Sequence, residues 1–386
     1  MTSTSPISKA KDLQSLILEY RDETEASRQL PQAIVQALID AQLHRIALPK
    51  EADGLELLPL EAFKVYETLA KAEASVAWIM WNNSLPCYLA RFLSSEVRDE
   101  IFDDPSILYA SSTRPSGTAE KDGDSYSLNG RWSMVSGCMH ATWVAVMCKV
   151  TEGGEPNMIR PGVPNMRLFY LPRNKFERLD TWHVGGLRGS GSHDLILKDE
   201  AASHARSVSF MDRPKFTTSL GKVPVSLSMS AGSAAICLGI ASVSLDTLVE
   251  LSKTKVSPDP GPDLKDRPGY QATVAQLSSA IENARNNLYS SYEIIWQKLE
   301  AGNRLRAADV APVWTASVNA ALSCRSAVTD IYAAAGATAL YTNSPIERAH
   351  RDIHAVCQHV VIQPFWLEEA ARVFEGLKPT HPLFLI

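Results

Sequence analysis

Residues 129–143 read NGRWSMVSGCMHATW. The stretch opens on Asn129-Gly130, a dipeptide suited to the positive backbone dihedrals of a tight hairpin. Trp132, Met134, Val135 and Ser136 follow, then a second turn at Gly137, then an apolar run from Trp143 to Cys148. The pattern predicts two strands of an antiparallel sheet. Trp132, Met134 and Ser136 are spaced by two, so on a continuous strand they share one face.

The surroundings extend this β texture. From about Leu108 to Phe210, short alternating or apolar runs are bounded by Gly, Pro and Asn: YSLNGRW, TWVAVMCKV, MRLFYLP and DLILKD. That is the signature of a β unit. Gly185 to Gly191 is glycine-rich, but no Lys-Ser/Thr follows it. The strand-like LILKD comes next in place of a helix, which argues against a phosphate-binding loop.

On either side the periodicity is helical. Residues 9 to about 105 carry apolar residues at helical spacing, with Ile34, Leu38 and Leu43 on one face. Ser75 to Ala90 is apolar and aromatic, with Trp78, Met80, Trp81, Leu85 and Tyr88. It reads as a buried helix or as one wall of an aromatic pocket, with Asn82, Asn83 and Ser84 as polar members. Beyond Val223, the series Tyr270, Val274, Leu277, Ile281, Ala284, Leu288, Tyr292, Ile295 and Leu299 steps by threes and fours. Ala307 to Ala335 repeats the theme. A last helix carries Ile346, Ala349, Ile353, Val356, Val360, Gln363, Leu367, Ala370 and Phe374 at the same spacing. Four long helices with short links predict a four-helix bundle. The expected organisation is α+β: a helical unit over 1–107, a β-barrel over 108–212 and the bundle over 213–386.

The net charge of −5 gives no reason to expect nucleic acid or an anionic membrane as partner. The N-terminus has no apolar leader, and no run of 18 apolar residues occurs, so a cytoplasmic location is expected. Six scattered cysteines without a C-x-x-C pair fit reduced thiols packed as small hydrophobes. His350, His354 and Cys357 recur at helical spacing, but three ligands on one straight helix span about 10 Å of rise, too long for one ion. No metal is expected.

The hairpin, with Tyr109–Gly117 (YASSTRPSG) before it and Trp182–Asp194 (WHVGGLRGSGSHD) after it, resembles the flavin-facing strands of the acyl-CoA dehydrogenase superfamily. The Gly-Arg-Trp form and the Gly-Ser-Gly-Ser-His-Asp ending look most like its two-component (group D) flavin monooxygenases. The resemblance runs from about Leu43 to Phe374 and implies reduced FMN or FAD as cofactor, supplied by a separate NAD(P)H:flavin reductase. It places Ser136 beside flavin N5, with Thr113, Trp132, Met134, Ser190, Ser192 and Arg267 as further cofactor contacts, the last across a subunit interface of a homotetramer. It places substrate against Trp78, Trp81, Asn82 and Asn83.

The last helix separates two chemistries. In the dehydrogenases a glutamate after Pro-x-Glu-Arg-x-x-Arg-Asp removes a substrate proton. Here that segment is PIERAHRDIHAVCQHVV, and Val360 stands at the glutamate position, beside His359. The alternative site on the first bundle helix holds Ser226, with no Asp or Glu from Arg213 through Leu245. The expected function is oxygenation of a small, indole-like bicyclic aromatic by O2 through a flavin C4a-hydroperoxide, with His359 as acid/base and Ser136 at N5. The alternatives are an acyl-CoA dehydrogenase forming an α,β-double bond, and a non-catalytic flavin-binding module. His140 and His193 are minor candidates.

Overall fold

The structure is a computed structural model and describes residues 5–215, 220–255 and 262–385. The chain opens with seven helices: α1 (Pro6–Asp12), α2 (Gln14–Glu19), α3 (Arg21–Ser27), α4 (Gln32–Asp40), α5 (Pro59–Ala72), α6 (Ala74–Leu89) and α7 (Ser95–Phe102). α5 begins on Pro59, where a missing N–H costs nothing. Glu73 breaks the chain between α5 and α6 with extended backbone, and its carboxylate accepts from the Ser75 N–H, capping α6. Every residue of α6 except Asn82 is buried, so this helix is a core element and carries no solvent stripe.

Ten strands follow: β1 (Leu108–Asp122), β2 (Ser125–Trp132), β3 (Ala141–Glu152), β4 (Glu155–Pro156), β5 (Met158–Arg160), β6 (Val163–Pro164), β7 (Met166–Pro172), β8 (Glu177–Leu179), β9 (Asp194–Ser203) and β10 (Ser207–Val208). The β unit is a mixed sheet in the order β10-β7-β3-β1-β2-β9-β8, with β4 on β3; β5 and β6 form a separate ribbon. β1 pairs antiparallel with β2 and parallel with β3.

The opening stretch departs from its sequence reading in three ways. Asn129-Gly130 lies inside β2, not at a turn; the β1–β2 connection turns at Gly123, with φ +59°. The Asn129 side chain brackets Asp199, accepting from its N–H at 2.9 Å and donating to its carboxylate at 2.9 Å, where the β2–β9 register shifts. Glycine is needed at 130 for space: a Cβ there would come within 2.6 Å of the Gly117 Cα and 2.8 Å of the Trp132 ring. Second, β2 and β3 are not paired neighbours, because β1 lies between them. Third, β2 ends at Trp132, and Met134 has φ +58°. The two-residue parity is lost, and Trp132, Met134 and Ser136 do not share a face.

The C-terminal half holds α8 (Val225–Thr254), α9 (Pro268–Glu300), α10 (Ala307–Ala335), α11 (Pro345–Val356) and α12 (Phe365–Phe374). The α9 seam buries Leu277, Ile281, Leu288, Tyr292, Ile295 and Leu299, with Trp296 beside them. The link from α8 to α9 is described from Pro262 onward. α8, long and apolar, packs against α5, α6, α9, α10 and α11. One continuous apolar core therefore joins the N-terminal helices to the bundle. Gly232 on α8 makes room for α6, since a Cβ there would lie 2.9 Å from Trp81 Cδ1.

The fourth bundle helix is not continuous. It breaks between α11 and α12, with only a short 3-10 turn at Val360–Ile362. Pro364 disfavours helical backbone at the residue before it, and Gln363 is extended (φ −71°, ψ 148°). The periodic series survives the break in sequence but not in space: Val360 and Phe374 are exposed.

Candidate active site

α6, the loop joining β2 to β3, the loop before β9 and the break between α11 and α12 converge on one place. Trp78 Nε1 donates to Ser136 Oγ at 3.0 Å. The Trp78 and Trp81 rings lie 4.5 Å apart, and the His359 ring meets them edge-on at 5.3 and 5.0 Å. Trp81 is held from behind, its Nε1 donating to the Met229 carbonyl on α8 at 3.0 Å. Residues 78, 81, 136 and 359 thus form a single cluster.

Ser136 is braced on both sides. The Val135 N–H donates to the His193 carbonyl at 3.0 Å and the Gly137 N–H to the Ser190 carbonyl at 2.9 Å. Gly137 takes φ +75°, which suits glycine and lets the chain turn immediately after the serine. Ser136 Oγ lies 2.7 Å from Ser192 Oγ, which lies 2.7 Å from Ser190 Oγ. Ser190 and Ser192 therefore join the site as a hydroxyl ladder ending on Ser136. That loop is fixed in turn by Asp352 on α11, whose carboxylate accepts from the Leu187 N–H at 2.7 Å. Burial and the nearby Glu73 carboxyl push the Asp352 pKa up.

His359 sits at the start of the 3-10 turn, not on a helix, and its Nδ1 accepts from the Val361 N–H at 3.4 Å. With Nδ1 occupied as acceptor, the neutral ring carries its proton on Nε2, which has no protein partner among the described residues. Desolvation by its dense surroundings, and after it the positive charge of Arg114, lower its pKa to about 4. The ring is nevertheless half-buried by surface area, so one part of it remains reachable. At neutral pH it is an uncharged hydrogen-bond donor with basic capacity, and not a charged acid.

The remaining expected residues divide. Thr113 is exposed on β1, and Met134 is 49% exposed beside Ser136, so both can meet a ligand. Asn82 is half-buried and accepts from the Ser111 N–H at 3.3 Å. Two assignments are corrected. Trp132 is fully buried in the sheet interior, its Nε1 donating to the Met147 carbonyl at 2.8 Å, so its side chain offers no exposed surface. Asn83 is fully buried too: it donates to the His44 carbonyl and accepts from the Tyr109 N–H at 2.8 Å, tying α6 to β1. Arg267 lies exposed at the start of α9 and donates to the Pro262 carbonyl. His140 accepts from the Leu30 N–H at 3.1 Å, and burial lowers its pKa to about 4, a structural role.

Sequence reading missed Arg114. It is exposed on β1, and its Nη1 reaches the Ser133 hydroxyl at 3.4 Å. The available signal was its position, the only charge in YASSTRPSG.

A flavin fits these groups. Hydroxyls from Ser136 and Thr113, the exposed Met134 and the unpartnered Nε2 of His359 supply polar and apolar contacts of the kind an isoalloxazine takes. Neither former base position offers a carboxylate: Val360 is 52% exposed, and the Ser226 hydroxyl donates to the Leu383 carbonyl at 2.6 Å.

Residues 11–104 match the family described as acyl-CoA dehydrogenase, N-terminal domain, and residues 231–364 match acyl-CoA dehydrogenase, C-terminal domain. The chain belongs to the acyl-CoA dehydrogenase superfamily. Within it, the relatives are flavin-dependent monooxygenases. Indole-3-acetate monooxygenase of Acinetobacter baumannii is 29% identical, over 96% of this chain and 95% of its own. The oxygenase subunit HsaA of Mycobacterium tuberculosis, a flavin-dependent monooxygenase, is 27% identical over 91% of each chain. The crystal structure of HsaA from that organism superimposes with a TM-score of 0.89 at 25% identity, covering 98% of this chain and 99% of that one.

Proposed function

We propose that this superfamily member is the oxygenase of a two-component flavin-dependent monooxygenase, acting on a small, indole-like bicyclic aromatic substrate. The observation that carries the reading is the convergence of Ser136, Trp78, Trp81 and His359, together with the absence of a carboxylate at Val360 and Ser226. A dehydrogenase acting next to a thioester needs a carboxylate base there. An oxygenase needs reduced flavin, O2, a dry aromatic wall and a neutral hydrogen-bonding group. Reduced FMN or FAD, delivered by a separate NAD(P)H:flavin reductase, supplies the electrons that activate O2. The residues of the chain hold and orient: the Trp78–Trp81 wall excludes water, Ser136 meets the ring edge, and His359 Nε2–H donates to the reacting oxygen.

With a reductase and NADH present, the protein incorporates label from isotopic O2 into an aromatic product. Acyl-CoA-dependent reduction of a dye, or label arriving from water, rejects the reading. Exposed Leu340, Tyr341, Phe374 and Leu377 in the C-terminal half support a homotetramer. Light scattering on the same preparation checks this, and a monomer with full flavin affinity rules it out.

Ser136→Ala separates a functional hydroxyl from a structural one. The change leaves the buried Trp78 N–H unpaired, at a cost of about 1–3 kcal/mol. If Ser136 also meets the flavin, release of hydrogen peroxide rises relative to product. A lowered melting temperature with unchanged coupling of NADH to product would leave Ser136 only its structural role.

A further inference from the structure

We propose that Arg114 holds the carboxylate of the substrate, so that the preferred substrates are aromatic acids and not neutral arenes; this rests on the monooxygenase reading above. Arg114 lies where β1 passes from buried Ser111 and Ser112 to exposed residues. Its one hydrogen bond, to the Ser133 hydroxyl at 3.4 Å, is long and leaves most of the guanidinium fork open. Several other arginines are held by a carboxylate, as Arg131 is by Asp194, Arg167 by Asp212, Arg348 by Asp22 and Arg351 by Glu347. No carboxylate lies within ion-pair distance of Arg114 among the described residues.

Its position relative to the chemistry is equally specific. Ser133 belongs to the same loop as Ser136, so Arg114 stands over the segment that presents the serine. Its charge also acts on the His359 ring, which contacts Trp78 and Trp81. A flat ring against those indoles, with a short acidic side arm, brings two carboxylate oxygens toward a planar donor fork that matches them. The exposed Met134 side chain gives the ring an apolar neighbour on that side. A flavin phosphate presents similar oxyanion chemistry. The substrate is favoured because Arg114 is tied to Ser133, in the loop whose Ser136 meets the Trp78 wall against which the ring would lie.

Calorimetric titration of the flavin-loaded protein with indole-3-acetate and with uncharged indole-3-ethanol tests the assignment without requiring turnover. The wild type binds the acid more tightly than the alcohol by on the order of 10–100-fold. Arg114→Gln brings that ratio close to one, and Arg114→Lys keeps part of it, since a point charge survives without the fork. Equal affinities in the wild type, or a ratio unchanged in Arg114→Gln, overturn the proposal. An unchanged ratio with weakened flavin binding in Arg114→Gln reassigns the arginine to the flavin phosphate. Oxygenation of neutral indole without preference for the acid overturns this inference and leaves the monooxygenase reading standing. Preferential acid binding without any oxygenation does the reverse, and binding of neither ligand overturns this inference alone.

Discussion

Replacing His359 with alanine lowers oxygenation of an aromatic substrate by on the order of 10²–10⁴, the usual worth of a positioned proton-transfer group. The loss falls on kcat, because the Trp78–Trp81 wall that would hold the substrate ring stays in place. His359→Asn refines the result. Asparagine can cap the Val361 N–H and still donate, but it cannot carry a proton. Recovery in that variant identifies a hydrogen-bond donor; continued loss identifies a proton carrier. Turnover of the alanine variant within about threefold of the wild type removes His359 from the chemistry.

The pH dependence has a definite sign. The folded pKa, about 4, lies below the ordinary value of 6.5, so the ring stays neutral through the mildly acidic range. The acid limb of the rate profile attributable to this group sits near pH 4, not near 6.5. In stability the same shift acts through the unfolded chain, which takes up the proton first. The contribution of the neutral ring is present above about pH 6.5 and is lost as the pH falls toward 4.

The second large effect concerns stability. Arg348→Met destabilises the fold by about 3–5 kcal/mol, since it strips the partner from a buried carboxylate. Arg348 and Glu73 are both buried, 3.8 Å apart. The shorter contact, 2.7 Å to Asp22, counts for less because Asp22 is 81% exposed and solvent screens it. Burial holds the Glu73 pKa above the ordinary value, with Arg348 opposing the shift. A raised folded pKa means that the folded state binds the proton first, so the cost of the lone carboxylate fades as the pH falls. Denaturant unfolding should therefore show a larger deficit at pH 8 than at pH 5. The pair replacement Arg348→Met with Glu73→Met should be more stable than Arg348→Met alone. Simple addition of two losses would argue that the pair is not coupled.

Much of this architecture could be read before any coordinates. The helical series around α9 is long enough for periodicity alone to place it, and the helix, β, helix order follows from texture. The meeting of Trp78, Ser136 and His359 is of another kind. Nothing local joins positions so far apart, and only the family resemblance brought them together. The errors share a physical cause: each local signal was answered by a tertiary contact. Asn129-Gly130 carries turn chemistry, yet Gly130 is there because Gly117 and the Trp132 ring leave no room for a Cβ. Parity along 132–136 assumed a continuous strand, which the positive φ of Met134 ends. The apolar series of the last helix runs past Pro364 unbroken, while the backbone before that proline does not stay helical.

Ser190, Ser192 and Ser136 have no built-in polarity, because each neighbouring pair of hydroxyls can be read with either oxygen as donor. If the protons point away from Ser136, its oxygen still accepts from Trp78 and keeps a lone pair for an incoming donor. If they point toward it, Ser136 accepts from both Trp78 and Ser192, and its own O–H is released for an incoming acceptor. The two settings differ only by rotation of C–O bonds, and neither sacrifices a hydrogen bond within the row or to Trp78. A fixed donor such as a backbone N–H would suit one redox form of a ring nitrogen and oppose the other. Rotation of the hydroxyls alone therefore sets Ser136 as donor or as acceptor toward a neighbour, with no heavy atom displaced.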